Sequence, residues 1–224
     1  MKKNIMMQKF NIIFEDSDLL IVSKPAGLLS VPIKSSKAVN LKDQLNRYLA
    51  SRKQKAFIVH RIDRYTSGLM VFAKNIRART HLVNQFLAHK PKRIYLALVR
   101  GCMSPPKGKL QHYLKLIKSG FRQVVVKGES QGGQLAVTHY EVLKSNKKYS
   151  LVKIQLETGL KNQIRVQFAA AGHPVIGDRH YTPDEKTEPL IQRQALHAYR
   201  LGFIHPVTLK QVVFKANPPF DFNN

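Results

Sequence analysis

A single carboxylate, Asp63, stands alone in a long basic stretch of the sequence. Between residues 44 and 128 there are nineteen Lys or Arg residues, and Asp63 is the one acidic residue among them. It lies in the segment 60–68 (HRIDRYTSG), with Arg61 and Arg64 on either side. Nearby positive charge favours the ionised form of a carboxyl group, so Asp63 is expected to be ionised and nucleophilic at neutral pH. The alternative is structural: Asp63 forms an ion pair or caps the turn that follows it.

The surroundings of Asp63 favour a site that acts on nucleic acid. The segment follows the apolar residues 57–59 and precedes a predicted strand, so Asp63 is expected in a loop or at a strand end, where sites are usually built. The guanidinium groups of Arg61 and Arg64 can bridge phosphates or stack on bases, as a lysine cannot. For Arg64 we expect the plainer role of a phosphate contact.

The composition restricts the partners and the compartment. The chain has 224 residues with 38 Lys and Arg against 13 Asp and Glu, a net charge of +25. Such a charge attracts polyanions, and nucleic acid is the commonest polyanion in a cell. The single cysteine, Cys102, excludes an internal disulfide and a cysteine-based zinc site, and the nine histidines have scattered spacings. We therefore expect a cytoplasmic protein with no metal site and no membrane segment.

The sequence predicts many strands and few helices as the elements that position Asp63. Short β-branched or aromatic runs between breaking residues predict seven strands, at residues 18–23, 68–73, 92–99, 121–126, 135–143, 149–158 and 209–216. Helical spacing predicts helices at residues 41–52, 76–89 and 162–171, with Asn40 and Asn75 as N-caps and Gly172 as a stop. Without strict alternation of strand and helix, this pattern favours one α+β domain. We expect a central mixed, mostly antiparallel sheet flanked by a few helices over residues 11–220, after a flexible N-terminus at residues 1–10.

The segment HRIDRYTSGLMVFAKN, at residues 60–75, resembles the signature of the RluA-type pseudouridine synthases, which isomerise uridine in ribosomal or transfer RNA. Further blocks of the chain resemble the family in the right order: EDSDLLIVSKPAGLLSV (15–31), KRIYLALVRG (92–101), ETGLKNQIRVQ (157–167), GHPVIGDRHY (172–181) and QALHAYRLGFIHP (194–206). The resemblance spans nearly the whole chain. It implies an RNA pseudouridine synthase with a single catalytic domain.

The resemblance also implies roles for individual residues. Asp63 is implied as the catalytic nucleophile, Tyr95 as the active-site aromatic and Arg165 as the basic partner of the carboxylate. Arg61 is implied to fill the place in the RNA stack that the target nucleotide leaves, which offsets part of the cost of extruding the base. The remaining predicted site residues are a set of RNA contacts, Arg64, Lys161, Asn162 and Gln163, and a set of supporting residues, His60, Thr66, Ser67 and Gly68.

Some positions depart from the family pattern. Leu160 stands where arginine is usual, Gln167 where histidine is usual, Tyr65 where an acidic or polar residue is usual, and Thr182 where glycine is usual. These departures are expected to alter RNA contacts and leave activity intact. Little sequence precedes the first family-like block, so we expect the appended RNA-binding module of many relatives to be absent. We also expect a monomer.

The implied reaction detaches uracil from its ribose and rejoins it through ring carbon 5. Mass and redox state are conserved, so no cofactor is expected, and the sequence has no glycine loop of the phosphate-binding types. Asp63 could attack the sugar carbon, attack the uracil ring or assist loss of a sugar proton, and the sequence leaves these open. Two other readings are a catalytically silent RNA-binding or ribosome-assembly factor, and a glycoside hydrolase in which Glu157 or Asp178 is the second acid.

Overall fold

The computed structural model describes residues 10–33, 38–117, 122–182, 191 and 193–219. The strands are β1 Asn11–Glu15, β2 Leu19–Lys24, β3 Phe57–Ile58, β4 Ser67–Ala73, β5 Lys92–Arg100, β6 Lys107–Leu116, β7 Gln123–Val126, β8 Gln134–Ser145, β9 Tyr149–Leu156, β10 Leu196–Ile204 and β11 Gln211–Lys215. The α-helices are α1 Leu41–Leu49, α2 Ile76–Leu87 and α3 Gln163–Ala170.

The described strands form one sheet in the order β1-β2-β4-β10-β5-β9-β8-β6-β7, with β11 paired to β10 and β3 paired to β4. Strands β4 and β10 pair in parallel, and every other described pairing is antiparallel. The prediction of an α+β domain with a mixed, mostly antiparallel sheet and few helices is confirmed.

The helices begin where their capping residues predict. The side chains of Asn40 and Asn75 accept hydrogen bonds from the third residue of α1 and of α2, which satisfies a free backbone N–H group at each helix start. Helix α3 ends just before Gly172, whose φ of +81° is the left-handed conformation that glycine adopts readily. Helix α1 is shorter than predicted because residues 50–52 form a 3₁₀ turn.

Apolar residues on the two faces of β2 and β4 build two different cores. Leu20 and Val22 pack with α1 on one face, and Leu19 and Ile21 pack with α2 on the other. A third core joins β5, β9 and α3, and β9 contributes one face to it, as its alternating sequence predicts. Tyr95 of β5 packs against both the first and the third of these cores. The sheet therefore brings Tyr95 between the region of α1 and the region of α3.

Four strands were not predicted, and β10 matters most because it lies between β4 and β5. Its sequence, LHAYRLGFI, lacks the polar–apolar alternation of a half-buried strand because most of its residues are covered on both faces.

Some predictions concern residues outside the described part. Residues 1–9 of the predicted flexible N-terminus lie outside it, as does residue 121 of one predicted strand. None of the described helices combines the length and the apolar character that crossing a membrane requires.

Candidate active site

Asp63 begins a tight turn that leads into β4. The turn closes with a hydrogen bond from the Thr66 backbone N–H to the Asp63 carbonyl, at 3.2 Å. Ile62 is buried, and its carbonyl accepts a 2.7 Å hydrogen bond from the Ser30 hydroxyl. The side chain of Asp63 remains 27% exposed. The backbone is thus fixed while the carboxylate stays accessible.

A buried lysine fastens this turn to the end of β2. The Lys24 Nζ donates to the carbonyls of Pro25, Leu28 and Arg64 at 2.8–2.9 Å. Burial lowers the pKa of Lys24 to about 7, and the negative charge of Asp63 acts in the opposite direction. Three carbonyl acceptors match the three donors of an ammonium group. Lys24 therefore holds the backbone next to Asp63.

The far end of the turn is locked between β4 and β10. Gly68 faces Ala198 in the parallel register with a φ of +106°, and a Cβ there would lie 2.3 Å from the Ala198 carbonyl oxygen. A larger residue at this position would force the strands apart. The Ser67 hydroxyl lies 2.9 Å from His197 Nδ1, and the Thr66 hydroxyl accepts from Gln194 at 2.8 Å.

Arg165 on α3 joins two carboxylates. Its Nη1 donates to Asp63 Oδ2 at 2.9 Å, while its Nε and Nη2 donate to the two oxygens of Asp178 at 2.6 and 2.8 Å. The Arg165 side chain is 7% exposed and that of Asp178 is fully buried. The bidentate bond to Asp178 orients the guanidinium plane, so that Nη1 points to Asp63.

The charges around Arg165 keep it protonated. Burial by itself lowers the pKa of Arg165, but the hydrogen bond and charge of Asp178, followed by the charge of Asp63, raise this pKa overall. The guanidinium of Arg165 therefore places a permanent positive charge 2.9 Å from the Asp63 carboxylate. Asn162 completes the contacts of Nη1, because its Oδ1 accepts from the same atom at 2.9 Å.

An aromatic ring lies against the guanidinium of Arg165. The Arg165 Cζ is 5.2 Å from the centroid of the Tyr181 ring, and the Cζ of Arg122 is 5.5 Å from the same centroid. The Tyr181 hydroxyl accepts from the backbone N–H of Gln123 and donates to its carbonyl, at 3.0 and 3.1 Å. Tyr181 therefore connects β7 to the Arg165 group.

Asp63, Tyr95 and Arg165 line one cavity of about 280 Å³. This volume is slightly below the roughly 300 to 1,000 Å³ of pockets that enclose whole small-molecule ligands, which suits a single nucleotide. Apolar side chains complete the walls: Ile62, Leu156, Leu160, Ile164 and Leu196. Burial raises the pKa of Tyr95, Arg93 opposes this, and Asp63 adds to it, so the phenol is neutral at neutral pH. A half-buried ring beside a carboxylate offers a stacking face for a planar base.

Eight of the twelve predicted site residues line this cavity: Asp63, Tyr95, Arg165, Arg61, Thr66, Lys161, Asn162 and Gln163. Arg61 and Lys161 are exposed at its rim. Gln163 is buried, and its amide makes four hydrogen bonds, to Thr158, Leu160, Val137 and Thr138. Its amide is therefore engaged within the protein.

The other four predicted residues, His60, Arg64, Ser67 and Gly68, lie outside the cavity lining. The His60 ring stacks on Phe86 at 4.5 Å, and its Nε2 accepts from the Val71 backbone at 3.2 Å. Burial, with a smaller effect of Arg93, lowers the pKa of His60 to about 3, so it is neutral at neutral pH. Its contacts are with the framework of the sheet.

Sequence reasoning missed three residues that shape the site. Asp178 was considered only as the second acid of a hydrolase. It lies on the far side of Arg165 from Asp63, where it accepts two hydrogen bonds from Arg165. Lys24 and Tyr181 were not singled out. The one available signal for Asp178 in the sequence was an acidic residue directly after a glycine, Gly177. In the structure Gly177 has a φ of +72° and Asp178 is buried.

Two departures from the family pattern have different surroundings. Leu160 lines the cavity and packs against the same buried cluster as Tyr181, so an apolar group occupies this part of the wall. Gln167 is fully buried and bonds to Thr138, Leu110, His112 and Ala136. Gln167 therefore supports α3 from behind. In the described ranges no three His, Cys, Asp or Glu side chains come together as metal ligands would.

Comparisons with known proteins agree on one family. The sequence profile described as RNA pseudouridylate synthase matches residues 18–170. An uncharacterized RNA pseudouridine synthase of Bacillus subtilis is 37% identical over 220 residues, which are 96% of this chain and 71% of that protein. A ribosomal large subunit pseudouridine synthase D of Zymomonas mobilis is 39% identical over 94% of this chain and 69% of that protein.

Solved structures share the fold. The human protein described as RNA pseudouridylate synthase domain containing 4 has a TM-score of 0.77 at 23% identity, with 95% of this chain and 90% of that chain covered. The human protein described as RNA pseudouridylate synthase domain containing 1 has a TM-score of 0.78 at 23% identity, with 95% and 84% covered.

Proposed function

Because the chain belongs to the RNA pseudouridylate synthase family, and so is an isomerase that converts uridine in RNA to pseudouridine, we propose that its substrate is ribosomal RNA and that Asp63 carries the chemistry. The role of Asp63 is supported most by the two ion pairs that join Asp63 to Arg165 and Arg165 to Asp178, beside a cavity of the size of a nucleotide. The name of the relative from Zymomonas mobilis, a ribosomal large subunit pseudouridine synthase, supports ribosomal RNA.

In the proposed reaction the N1–C1′ bond of the uridine breaks, and a bond forms between C1′ and C5. The proton on C5 leaves, and N1 gains one, so the product is an isomer of the substrate. Each of the three roles considered for Asp63 requires an ionised carboxylate in contact with the extruded nucleotide. Arg165 maintains that state, and Asp178 holds Arg165 in position.

Tyr95 is proposed to pack its ring against the extruded uracil and to take part in the proton transfer from C5. Its half-buried position beside Asp63 and its neutral phenol support this role. Arg61, exposed at the rim, is proposed to occupy the space that the target base leaves in the RNA, where its guanidinium plane can stack on the neighbouring bases. Lys161 and Arg64 are proposed to contact phosphates.

The test compares wild type with Asp63→Asn on ribosomal RNA from cells without this modification, with transfer RNA as a second substrate. Pseudouridine is scored by carbodiimide-dependent primer-extension stops. We expect new stops in ribosomal RNA with wild type and none with Asp63→Asn. Glu129→Gln, which removes a carboxylate from an exposed turn outside the cavity, is the matched control and should act as wild type.

Absence of product with wild type on both RNAs would overturn the proposal and favour a silent RNA-binding factor. Product on transfer RNA alone would overturn the choice of ribosomal RNA. Product with Asp63→Asn at the wild-type rate would overturn the role of the carboxylate.

A further inference from the structure

Tyr65 is an exposed aromatic residue at the tip of the Asp63 turn. In the described part of the chain, three aromatic residues are more than a third exposed: Phe14, Tyr48 and Tyr65. The ring of Phe14 packs on Phe214 at 5.2 Å, and Tyr48 lies against Phe10 and donates to Glu15. Tyr65 is the most exposed of the three, at 45%, and stacks on no other aromatic ring of the described segments. Its phenol makes no hydrogen bond to the described residues.

The backbone that carries Tyr65 is held on both sides. The Arg64 carbonyl accepts hydrogen bonds from the Gly27 N–H at 2.8 Å and from the Lys24 Nζ at 2.9 Å. The Thr66 N–H bonds to the Asp63 carbonyl, so Tyr65 is the third residue of a closed turn. An exposed ring on a fixed turn loses little conformational freedom when a ligand stacks on it.

A cation lies against the Tyr65 ring. The Arg64 Cζ is 5.5 Å from the ring centroid, and the Arg64 Nε donates to the Gly27 carbonyl at 2.8 Å. The guanidinium is thus fixed in place by the same short segment that holds the turn. The ring and the guanidinium together form one positively charged unit, two residues from the Asp63 carboxylate.

A nucleobase is the ligand that matches this unit. Extruding the target nucleotide leaves the neighbouring bases without one stacking partner, and exposed aromatic and guanidinium planes are the groups on which proteins stack unpaired bases. A phosphate beside such a base would meet Arg64. We propose that Tyr65, supported by Arg64, is a stacking platform for the nucleobase beside the target uridine. This inference rests on the RNA-directed activity proposed above and extends it to the flanking nucleotide.

The test separates stacking from charge with two probes of equal charge. One probe is a single-stranded octanucleotide of uridine, and the other is a stable abasic chain with the same number of phosphates. Binding is measured by fluorescence anisotropy in 50 mM salt. We expect Tyr65→Ala to lose roughly 5- to 100-fold in affinity for the uridine probe, the range of one base–aromatic stack, and to bind the abasic chain as wild type does.

Two further variants sharpen the test. Tyr65→Phe keeps the ring and should bind both probes within about twofold of wild type. Tyr65→Leu keeps apolar volume without a ring and should lose most of the difference in affinity between the uridine probe and the abasic probe. Tyr48→Ala removes an exposed tyrosine that does not line the cavity and should leave both affinities unchanged.

Equal losses on the two probes, or no loss on either, would overturn the platform. This outcome is distinguishable from a failure of the proposed function. If wild type forms no pseudouridine but Tyr65→Ala still loses affinity only for the uridine probe, the platform stands and the proposed function falls. If wild type forms pseudouridine and Tyr65→Ala binds both probes normally, only the platform falls.

Discussion

The two walls of the cavity are held in place by different kinds of contact. The wall that carries Asp63 is fixed mainly through backbone carbonyls, which accept from Lys24, Ser30 and the Gly27 N–H. The wall that carries Arg165 is fixed through side chains, by the carboxylate of Asp178 and the amide of Asn162. The first arrangement leaves the side chains of the turn available to a ligand. The side-chain contacts of the second wall fix the position and the orientation of the Arg165 guanidinium.

This difference suits the proposed division of work. Arg61, Arg64 and Tyr65 project from a fixed backbone into solvent, where they can meet RNA. Arg165 is buried between two carboxylates, and its charge is already neutralised by the protein. In the proposed mechanism the turn therefore presents groups to the substrate, and α3 holds the carboxylate of Asp63 in place through Arg165.

Among changes to the contacts that hold the two walls, the largest effect is expected when the side-chain wall loses a carboxylate. Asp178→Asn leaves the buried Arg165 with Asp63 as its one carboxylate, and breaking a buried ion pair costs about 3 kcal/mol in the free energy of unfolding. Because Nη1 is no longer aimed at Asp63, the rate of pseudouridine formation should fall about 100-fold. Urea unfolding and primer extension measure the two quantities.

The control is Glu141→Gln, which removes a carboxylate from surface ion pairs with Lys107 and Lys153. It should change neither quantity measurably, because exposed ion pairs contribute little. Equal unfolding free energies for Asp178→Asn and Glu141→Gln would contradict the view that this wall depends on a buried side-chain network.

A smaller effect is expected when the backbone wall loses its lysine. Lys24→Met removes three hydrogen bonds to carbonyls and fills a similar volume, so the unfolding free energy should fall by about 2 kcal/mol. The rate should fall about tenfold, because the turn keeps its other bonds. Lys144→Met, at an exposed position of β8, is the matched control and should change neither. A rate loss larger than that of Asp178→Asn would reverse the order of importance of the two walls.

The local elements could be predicted from residue patterns, whereas the pairing of Arg165 with Asp63 between the walls was implied only by the resemblance. Asn40 and Asn75 cap their helices through the residues that immediately follow, so their role is visible in a few adjacent positions. Seven strands were predicted within about two residues of their observed ends, wherever those ends are described. Strand β10 was missed because burial on both faces removes the alternation that marks a strand, although it separates β4 from β5.

Long-range contacts of the site were outside the reach of sequence patterns. Lys24 bonds to a carbonyl forty positions away, and Arg165 bonds to Asp63 across 102 positions. Asp178 lies beside Arg165 only because Gly177 turns the chain, where a Cβ would lie 2.0 Å from the Arg193 carbonyl oxygen. The resemblance named Asp63, Tyr95 and Arg165 and their roles, which stay predictions until the variants are measured.

The pH dependence of stability should distinguish Lys24 from the ion pairs of the other wall. Its pKa in the folded protein, about 7, lies below the usual 10.5, so between these values the unfolded chain binds more protons. The unfolding free energy of wild type should therefore rise relative to Lys24→Met from pH 7 to about pH 10, with a slope of at most about 1.4 kcal/mol per pH unit. A constant difference over this range would show that Lys24 has an ordinary pKa.

The smallest effect is expected in the salt dependence of RNA binding. Arg64→Gln should reduce the slope of log affinity against log salt by about 0.7 for single-stranded RNA, because one phosphate contact is lost. Arg165→Gln should leave the slope unchanged, since the charge of Arg165 is already balanced by Asp63 and Asp178. The measurement is a series of binding isotherms between 50 and 300 mM salt. Equal changes for both variants would contradict the distinction between presented and neutralised arginines.

The most direct measurement follows the hydrogen on C5, which must leave when the new carbon–carbon bond forms. Ribosomal RNA labelled with tritium at C5 of uridine is mixed with excess protein, and tritium released to water is counted over a single turnover. We predict release by wild type, and a rate lower by about 10⁴-fold for Asp63→Asn with RNA affinity retained, because one essential group of the reaction is removed. Release by Asp63→Asn at a rate near that of wild type would contradict the claim that the Asp63 carboxylate, held by Arg165, carries the reaction.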